Sequence, residues 1–190
     1  TDKLGNEGYG MMSRLVYRPL RDPGKILHIG LSGAFESPRY SAKPEDNHRS
    51  YALKSEFPTR IARVAAQQAD ITEAKMLYKF TPEVMAAIGR LAIESQYFFV
   101  TVNREKDLPR YQASGAYVLL RGLVKGNGYV YSDGDSGIGT PAPGSMELVL
   151  GYNYTDLSDH KARILGGRVN DWSLTFNYYP NKYMIWRVRG

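Results

Sequence analysis

The sequence predicts an all-β chain, an antiparallel up-and-down sheet of about eight strands. Three observations predict it. Apolar and polar residues alternate with a period of two through most of the chain. The alternating stretches run to roughly 9–14 residues. The connections between them are by turns short and long. Successive side chains on a strand point to opposite faces, so a period of two is its signature. Strands of soluble proteins usually run to about 5–6 residues. A tilted strand needs about 9–11 residues to cross hydrocarbon. Short turns at one end and long loops at the other belong to up-and-down membrane barrels. Strand length and loop asymmetry are those of an antiparallel up-and-down transmembrane β-barrel. Periodicity alone leaves a soluble half-buried sheet open as the alternative.

The first strand covers residues 10–19, with Leu15 and Tyr17 on one face and Arg14, Val16 and Arg18 on the other. Pro23-Gly24 centres a tight turn. Residues 26–36 follow, with Leu27, Ile29, Leu31 and Phe35 opposite His28, Gly30, Ser32 and Glu36. Residues 37–74 show no clean period and carry Arg39, Lys43, Arg49, Lys54, Arg60 and Arg63. They read as one long basic loop with a weak helical signal at 59–68, and long loops in compact domains are usually functional.

Residues 76–85 alternate Met76, Tyr78, Phe80 and Val84 against Lys79, Thr81 and Glu83, although Pro82 removes a ladder donor. Residues 91–103 form the next strand, where Phe98 and Val100 blur the parity and suggest a bulge. Residues 111–125 set Val118, Leu120 and Val124 against Leu119, Arg121 and Lys125. Residues 126–145, rich in Gly, Ser, Asp and Pro, read as a flexible connection, long on what should be the short side. Residues 146–157 set Leu148, Leu150, Tyr152 and Tyr154 against Glu147, Gly151, Asn153 and Thr155. A polar loop at 158–168 leads to the closing hairpin. There Trp172, Leu174, Phe176 and Tyr178 oppose Asp171, Ser173, Thr175 and Asn177. After a turn at Pro180-Asn181-Lys182, Met184, Trp186 and Val188 oppose Arg187 and Arg189.

The chain has 190 residues and a net charge of +6. A basic balance favours anionic partners. With no cysteine there is neither a disulfide framework nor a thiolate metal site. His28, His48 and His160 have no ligand spacing, and no cofactor motif, nucleophile elbow or P-loop is present. The reading is non-enzymatic, without cofactor or metal. The tract at 132–139 lacks the closing Glu of an EF-hand. A nucleic-acid platform needs aromatics interleaved with cations on one face. Here most aromatics lie opposite the cations, so no nucleic-acid partner is expected. The N-terminal residues show neither a cationic start nor an apolar run, so no signal peptide is visible.

Five stretches together resemble the phosphate-selective porins of the porin O and P type, from bacterial outer membranes. They are KILHIGLSGAFESPRYSAKPE (25–45), LYKFTPEVM with LAIESQYFFVTV (77–102), SGAYVLLRGLVKGN (114–127), SMELVLGYNYTDLSD (145–159) and GGRVNDWSLTFNYYPNKYMIWRVR (166–189). They occur in the family's order and span nearly the whole chain. The chain departs from the family pattern at Arg121, Asn127 and Gly151. The resemblance implies one porin domain over 1–190, the C-terminal half of a sixteen-stranded barrel, hence a partial chain, with 37–74 as an extracellular loop.

It also implies a water-filled, anion- or phosphate-selective diffusion channel in the outer membrane. The partners would be phosphate or other small anions, outer-membrane lipid or lipopolysaccharide, and further copies in a homotrimer. The alternative function is a soluble β-barrel that binds a small anionic ligand. By parity the pore-lining cations are Arg14, Arg18, Lys79, Arg121, Lys125, Arg187 and Arg189, facing Glu36, Glu83, Glu94 and Glu147. Arg suits phosphate because its planar fork donates two hydrogen bonds to two oxygens. The competing expectation is that these charges pair across strands and serve structure alone. Tyr17, Tyr97, Tyr152, Tyr154, Trp172, Tyr178 and Trp186 would form interface girdles.

Overall fold

The computed structural model describes residues 8–38, 49–56 and 65–190. Every regular element among them is a strand: β1 (Gly10–Asp22), β2 (Lys25–Glu36), β3 (Ser50–Glu56), β4 (Ala65–Thr72), β5 (Ala74–Ile88), β6 (Leu91–Arg104), β7 (Tyr111–Lys125), β8 (Tyr131–Ser132), β9 (Gly137–Ile138), β10 (Met146–Asp159), β11 (Ile164–Asn181) and β12 (Met184–Arg189). Eight of them form one antiparallel sheet in the order β1-β2-β5-β6-β7-β10-β11-β12. Neighbours in the sheet are neighbours in sequence once β3–β4 and β8–β9 are set aside as insertions, which is the predicted up-and-down meander. The sheet is not closed, and β1 and β12 form its edges.

Cross-strand partners share a face, so the register assigns the two sides. Leu15 pairs Leu31 and Tyr17 pairs Ile29. Ile29 pairs Val84, Ile93 pairs Leu120, Leu150 pairs Leu174 and Tyr178 pairs Trp186. This outer face is apolar, yet it is the exposed one: Leu15 is 72% and Trp172 69% exposed. The girdle aromatics all lie on it, and Tyr152 and Trp172 pack with ring centroids 4.7 Å apart. The inner face buries polar groups instead, with His28 and Glu147 both at 0%. The partition is thus inverted relative to a water-soluble sheet, where large apolar side chains are the ones taken out of water.

Several strand boundaries differ from the sequence reading. The 37–74 stretch is not a structureless loop, because β3 and β4 pair as a hairpin within it. Residues 65–68, assigned above to a weak helical signal, belong to β4, and 59–64 lie outside the described residues. Residues 158–168 are mostly strand, with the turn confined to 160–163. The final turn falls at Lys182-Tyr183 rather than at 180–182, after a bulge between Tyr178 and Asn181. No bulge occurs at Phe98 or Val100: the β6–β7 register is unbroken, and both side chains face inward, opposite Gly115 and Ala113. Pro82 is tolerated because the β5–β6 ladder lapses around it, between Phe80 and Glu83.

Both insertions fold onto the inner face. The β3–β4 hairpin packs Ala69 and Ile71 against Leu77, Val102, Tyr111 and Leu157, with the Tyr111 hydroxyl donating to the Leu157 carbonyl at 2.7 Å. At the opposite end, residues 126–145 are ordered and turned inward, which corrects the flexible-connection reading. Tyr129 and Tyr131 are buried against Ile26, Ala87, Ala92 and Leu123. Backbone bonds seat this connection over the two tight turns. The Gly24 N–H donates to the Tyr129 carbonyl (2.8 Å), that of Tyr129 to Gly89 (3.1 Å) and that of Gly89 to Gly24 (2.7 Å). Gly24 and Gly89 take φ of 72° and 57°, a region that only glycine enters at little cost.

The inward hairpin depends on one close approach. A Cβ at Gly166 would lie 2.6 Å from the Leu157 carbonyl oxygen and 2.8 Å from the Ala69 Cβ. Gly166→Ala should therefore force β11 and β4 apart, at a cost of about 1–3 kcal/mol. The expected outcome is a lower temperature for the heat-induced mobility shift on a denaturing gel, with faster proteolysis between 49 and 72. Unchanged values for both would refute the contact.

Candidate functional site

The inner face carries two polar clusters, each tying the sheet to the inward connection. The first centres on Glu147 of β10. Period-two alternation turns it inward, where it pairs with Asn177 of β11 and with Leu123 of β7. Its carboxylate accepts four hydrogen bonds. Arg121 Nε (2.8 Å) and the Tyr129 hydroxyl (2.9 Å) reach Oε1; Asn177 Nδ2 (2.9 Å) and the Tyr179 hydroxyl (2.8 Å) reach Oε2. Arg121 is shared with Glu94 of β6 through Nη1, and its guanidinium lies 5.0 Å from the centroid of the Tyr129 ring. Tyr129 stands outside the spanning strands, and burial beside Glu147 pushes its phenol well above the usual range.

The second cluster lies between β1, β2 and β5. Glu83 ion-pairs with Arg14 and receives His28 Nε2 at 3.1 Å, while His28 Nδ1 meets the Tyr131 hydroxyl at 2.8 Å. Arg18 ion-pairs with Asp133 of the inward connection at 2.6 Å and lies over the Tyr131 ring. Gly30 makes room for Glu83, since a Cβ there would sit 2.2 Å from Oε1.

The seven predicted cations do not form one site. Arg121, Arg187 and Arg189 line one cavity of about 480 Å³, together with Glu94, Tyr117, Glu147, Ser173, Thr175 and Asn177. Arg14 and Arg18 belong to the second cluster. Lys79 lies apart and bonds Glu36 at 3.3 Å. Lys125 ends β7 at the bulge opposite Met146 and joins neither cluster. Arg14, Lys79 and Arg121 are each ion-paired with the acids predicted to face them, so cross-strand pairing accounts for much of the inner charge.

Arg187 and Arg189 differ. Arg187 donates from Nε to Asn177 Oδ1 at 2.8 Å, and neither guanidinium has a carboxylate partner among the described residues. On the same face Asp171 is held by Asn153 Nδ2 at 2.9 Å and has no cation partner among the described residues. The residues that sequence reasoning missed are Tyr179 on β11 and, in the inward connection, Tyr129, Tyr131 and Asp133. The last three were signalled by polar and aromatic residues at period two inside a glycine-rich segment. Of the basic loop, Arg49 bonds Glu105 at 2.5 Å; Arg39, Lys43, Arg60 and Arg63 lie outside the described residues.

An apolar outer face, a charged inner face and ordered insertions on the inner side are the layout of a barrel wall around an aqueous lumen. The family model for the phosphate-selective porins O and P matches residues 1–188. The chain belongs to the phosphate-selective porin O and P family. No curated protein matches it. Within this porin wall, Glu147 is the most buried carboxylate among the described residues.

Arg121→Met would leave Glu147 and Glu94 without their cation. Removing one partner of a buried pair typically costs about 3–5 kcal/mol. The expected result is a clear loss of folded barrel by heat-modifiable mobility, partly restored in Arg121→Lys. Wild-type stability in the Met variant would show that the neutral donors suffice.

Proposed function

We propose that the chain forms the wall of a water-filled diffusion channel in the bacterial outer membrane, with preference for phosphate and other small anions. In this reading 37–74 is an extracellular loop folded partly into the lumen. The barrel assembles as a homotrimer and is surrounded by lipopolysaccharide. The observation that carries the reading is the unequal compensation of charge around the 480 Å³ cavity. Its three arginines face two glutamates, and Glu147 is sealed by four donors while Arg187 and Arg189 remain exposed.

A fixed cation beside water raises the local anion concentration and substitutes for part of the anion's hydration shell. Arg187 and Arg189 stand two residues apart on one face of β12, so two guanidinium forks are presented side by side. Ser173 and Thr175 add hydroxyl donors on the neighbouring strand. The apolar outer face supports a lipid-facing wall, since a cation there would cost about 2–4 kcal/mol near the bilayer midplane. A soluble ligand-binding barrel would need that face covered.

The test is reconstitution of the full-length protein in planar bilayers, with the reversal potential measured in a salt gradient and chloride current titrated with phosphate. Anion preference with phosphate block is expected, and cation preference or no block would overturn the proposal. Arg187→Gln should raise the half-blocking phosphate concentration about tenfold, the scale of one lost charged hydrogen bond. Asp171→Asn should move the reversal potential further toward anions, because it removes the unpaired carboxylate on the same face.

A further inference from the structure

We propose that Glu147 is a positioning residue for the anion site: it sets the orientation of the Asn177 amide and, through it, of Arg187. The proposal rests on the reading of Arg187 as an anion-contacting group. Three facts place the residues in series. Arg121 Nε bonds Glu147 Oε1 at 2.8 Å. Asn177 Nδ2 donates to Glu147 Oε2 at 2.9 Å. Arg187 Nε donates to Asn177 Oδ1 at 2.8 Å. Asn177 and Arg187 are cross-strand partners, as are Glu147 and Asn177, so the backbone ladder brings all three side chains onto neighbouring rungs.

The chemistry leaves one arrangement. A carboxylate can only accept hydrogen bonds, and a guanidinium can only donate them. Asn177 stands between the two and is 4% exposed. Its NH₂ must face Glu147, and its carbonyl oxygen must therefore face Arg187. The two tyrosine hydroxyls that bond Glu147 and the Arg121 beside it keep that carboxylate an acceptor. With Nε engaged by Asn177, both terminal nitrogens of Arg187 are left to meet a solute. A long side chain held at Nε gives up its rotamer entropy before an anion arrives, which improves affinity.

Replacing Glu147 by Gln removes this constraint. A Gln amide can donate as well as accept, so Asn177 can turn its carbonyl toward position 147. Arg187 would then face an NH₂ group and lose its hold. Asn177→Ala breaks the same link while the Glu147 carboxylate keeps its charge and its three other donors.

The experiment uses the full-length protein in planar bilayers, with inorganic phosphate titrated against chloride current, and heat-modifiable gel mobility to select folded variants. Glu147→Gln and Asn177→Ala should each raise the half-blocking phosphate concentration about threefold to tenfold, the size of one oriented hydrogen bond. In an Arg187→Gln background neither should add a further change, because residues acting through one contact are not additive. If Glu147→Gln does not fold, Asn177→Ala carries the comparison alone. Additive effects in the Arg187→Gln background, or an unchanged half-blocking concentration in Asn177→Ala, overturn the positioning role while leaving Arg187 in the site. No effect of Arg187→Gln by itself overturns both that role and the anion reading of Arg187.

Discussion

A carboxylate removed from water has to be given a cation and donors by the chain around it, and Glu147 receives both from three different parts of the molecule. Arg121 comes from β7, Tyr129 from the inward connection, and Asn177 and Tyr179 from β11. Glu94 on β6 shares the same cation. Ionised carboxylates are too costly to bury without such partners, so these elements cannot separate without exposing one another's charges. The inward placement of 126–145 follows from this. Tyr129 contributes a hydroxyl to the carboxylate and a ring to the guanidinium, and its backbone closes over the turns at Gly24 and Gly89.

The two faces of the sheet answer to different solvents. Lipid offers no hydrogen bonds, so in the proposed membrane setting the outer face favours apolar side chains, and its backbone groups are satisfied within the ladder. The inner face meets water and its own insertions. There the apolar packing is local: one cluster under the β3–β4 hairpin and one under the inward connection. Between them the polar rows remain. The inner face is therefore packed at its two ends and charged in the middle, with one insertion folded over each end.

That geometry explains which parts were legible in the sequence. Period-two alternation is imposed along every spanning strand, so Leu15, Ile29, Val84, Leu120, Leu150 and Leu174 declared their face without reference to any partner. Parity also placed Arg121 and Glu147 on the same side. It could not pair them, because pairing depends on register, and register is a property of two strands at once. The 126–145 connection was misread for a related reason. Glycine and proline content reports how freely a backbone can turn, whereas the ordering comes from Tyr129 and Tyr131 finding Glu147 and His28, which are distant in sequence. The turns at 160–163 and 182–183 were misplaced because polar residues at the ends of long strands look like loop residues when no partner strand is in view.

Charge on the lumen side is consequently a matter of differences rather than totals. Arg14, Lys79 and Arg121 point inward, as parity requires, yet each is held by a facing carboxylate, so its field is largely cancelled at short range. Arg121 illustrates the point: it is the most buried of the predicted cations, and its position between Glu94 and Glu147 makes it a counter-ion for the wall. In the proposed channel a solute would respond to whatever remains after such pairing. Around the 480 Å³ cavity that remainder is the two guanidiniums of β12, opposed on the same face by Asp171. If the wall lines a channel as proposed, selectivity would reside with the few charges that the fold does not need for itself.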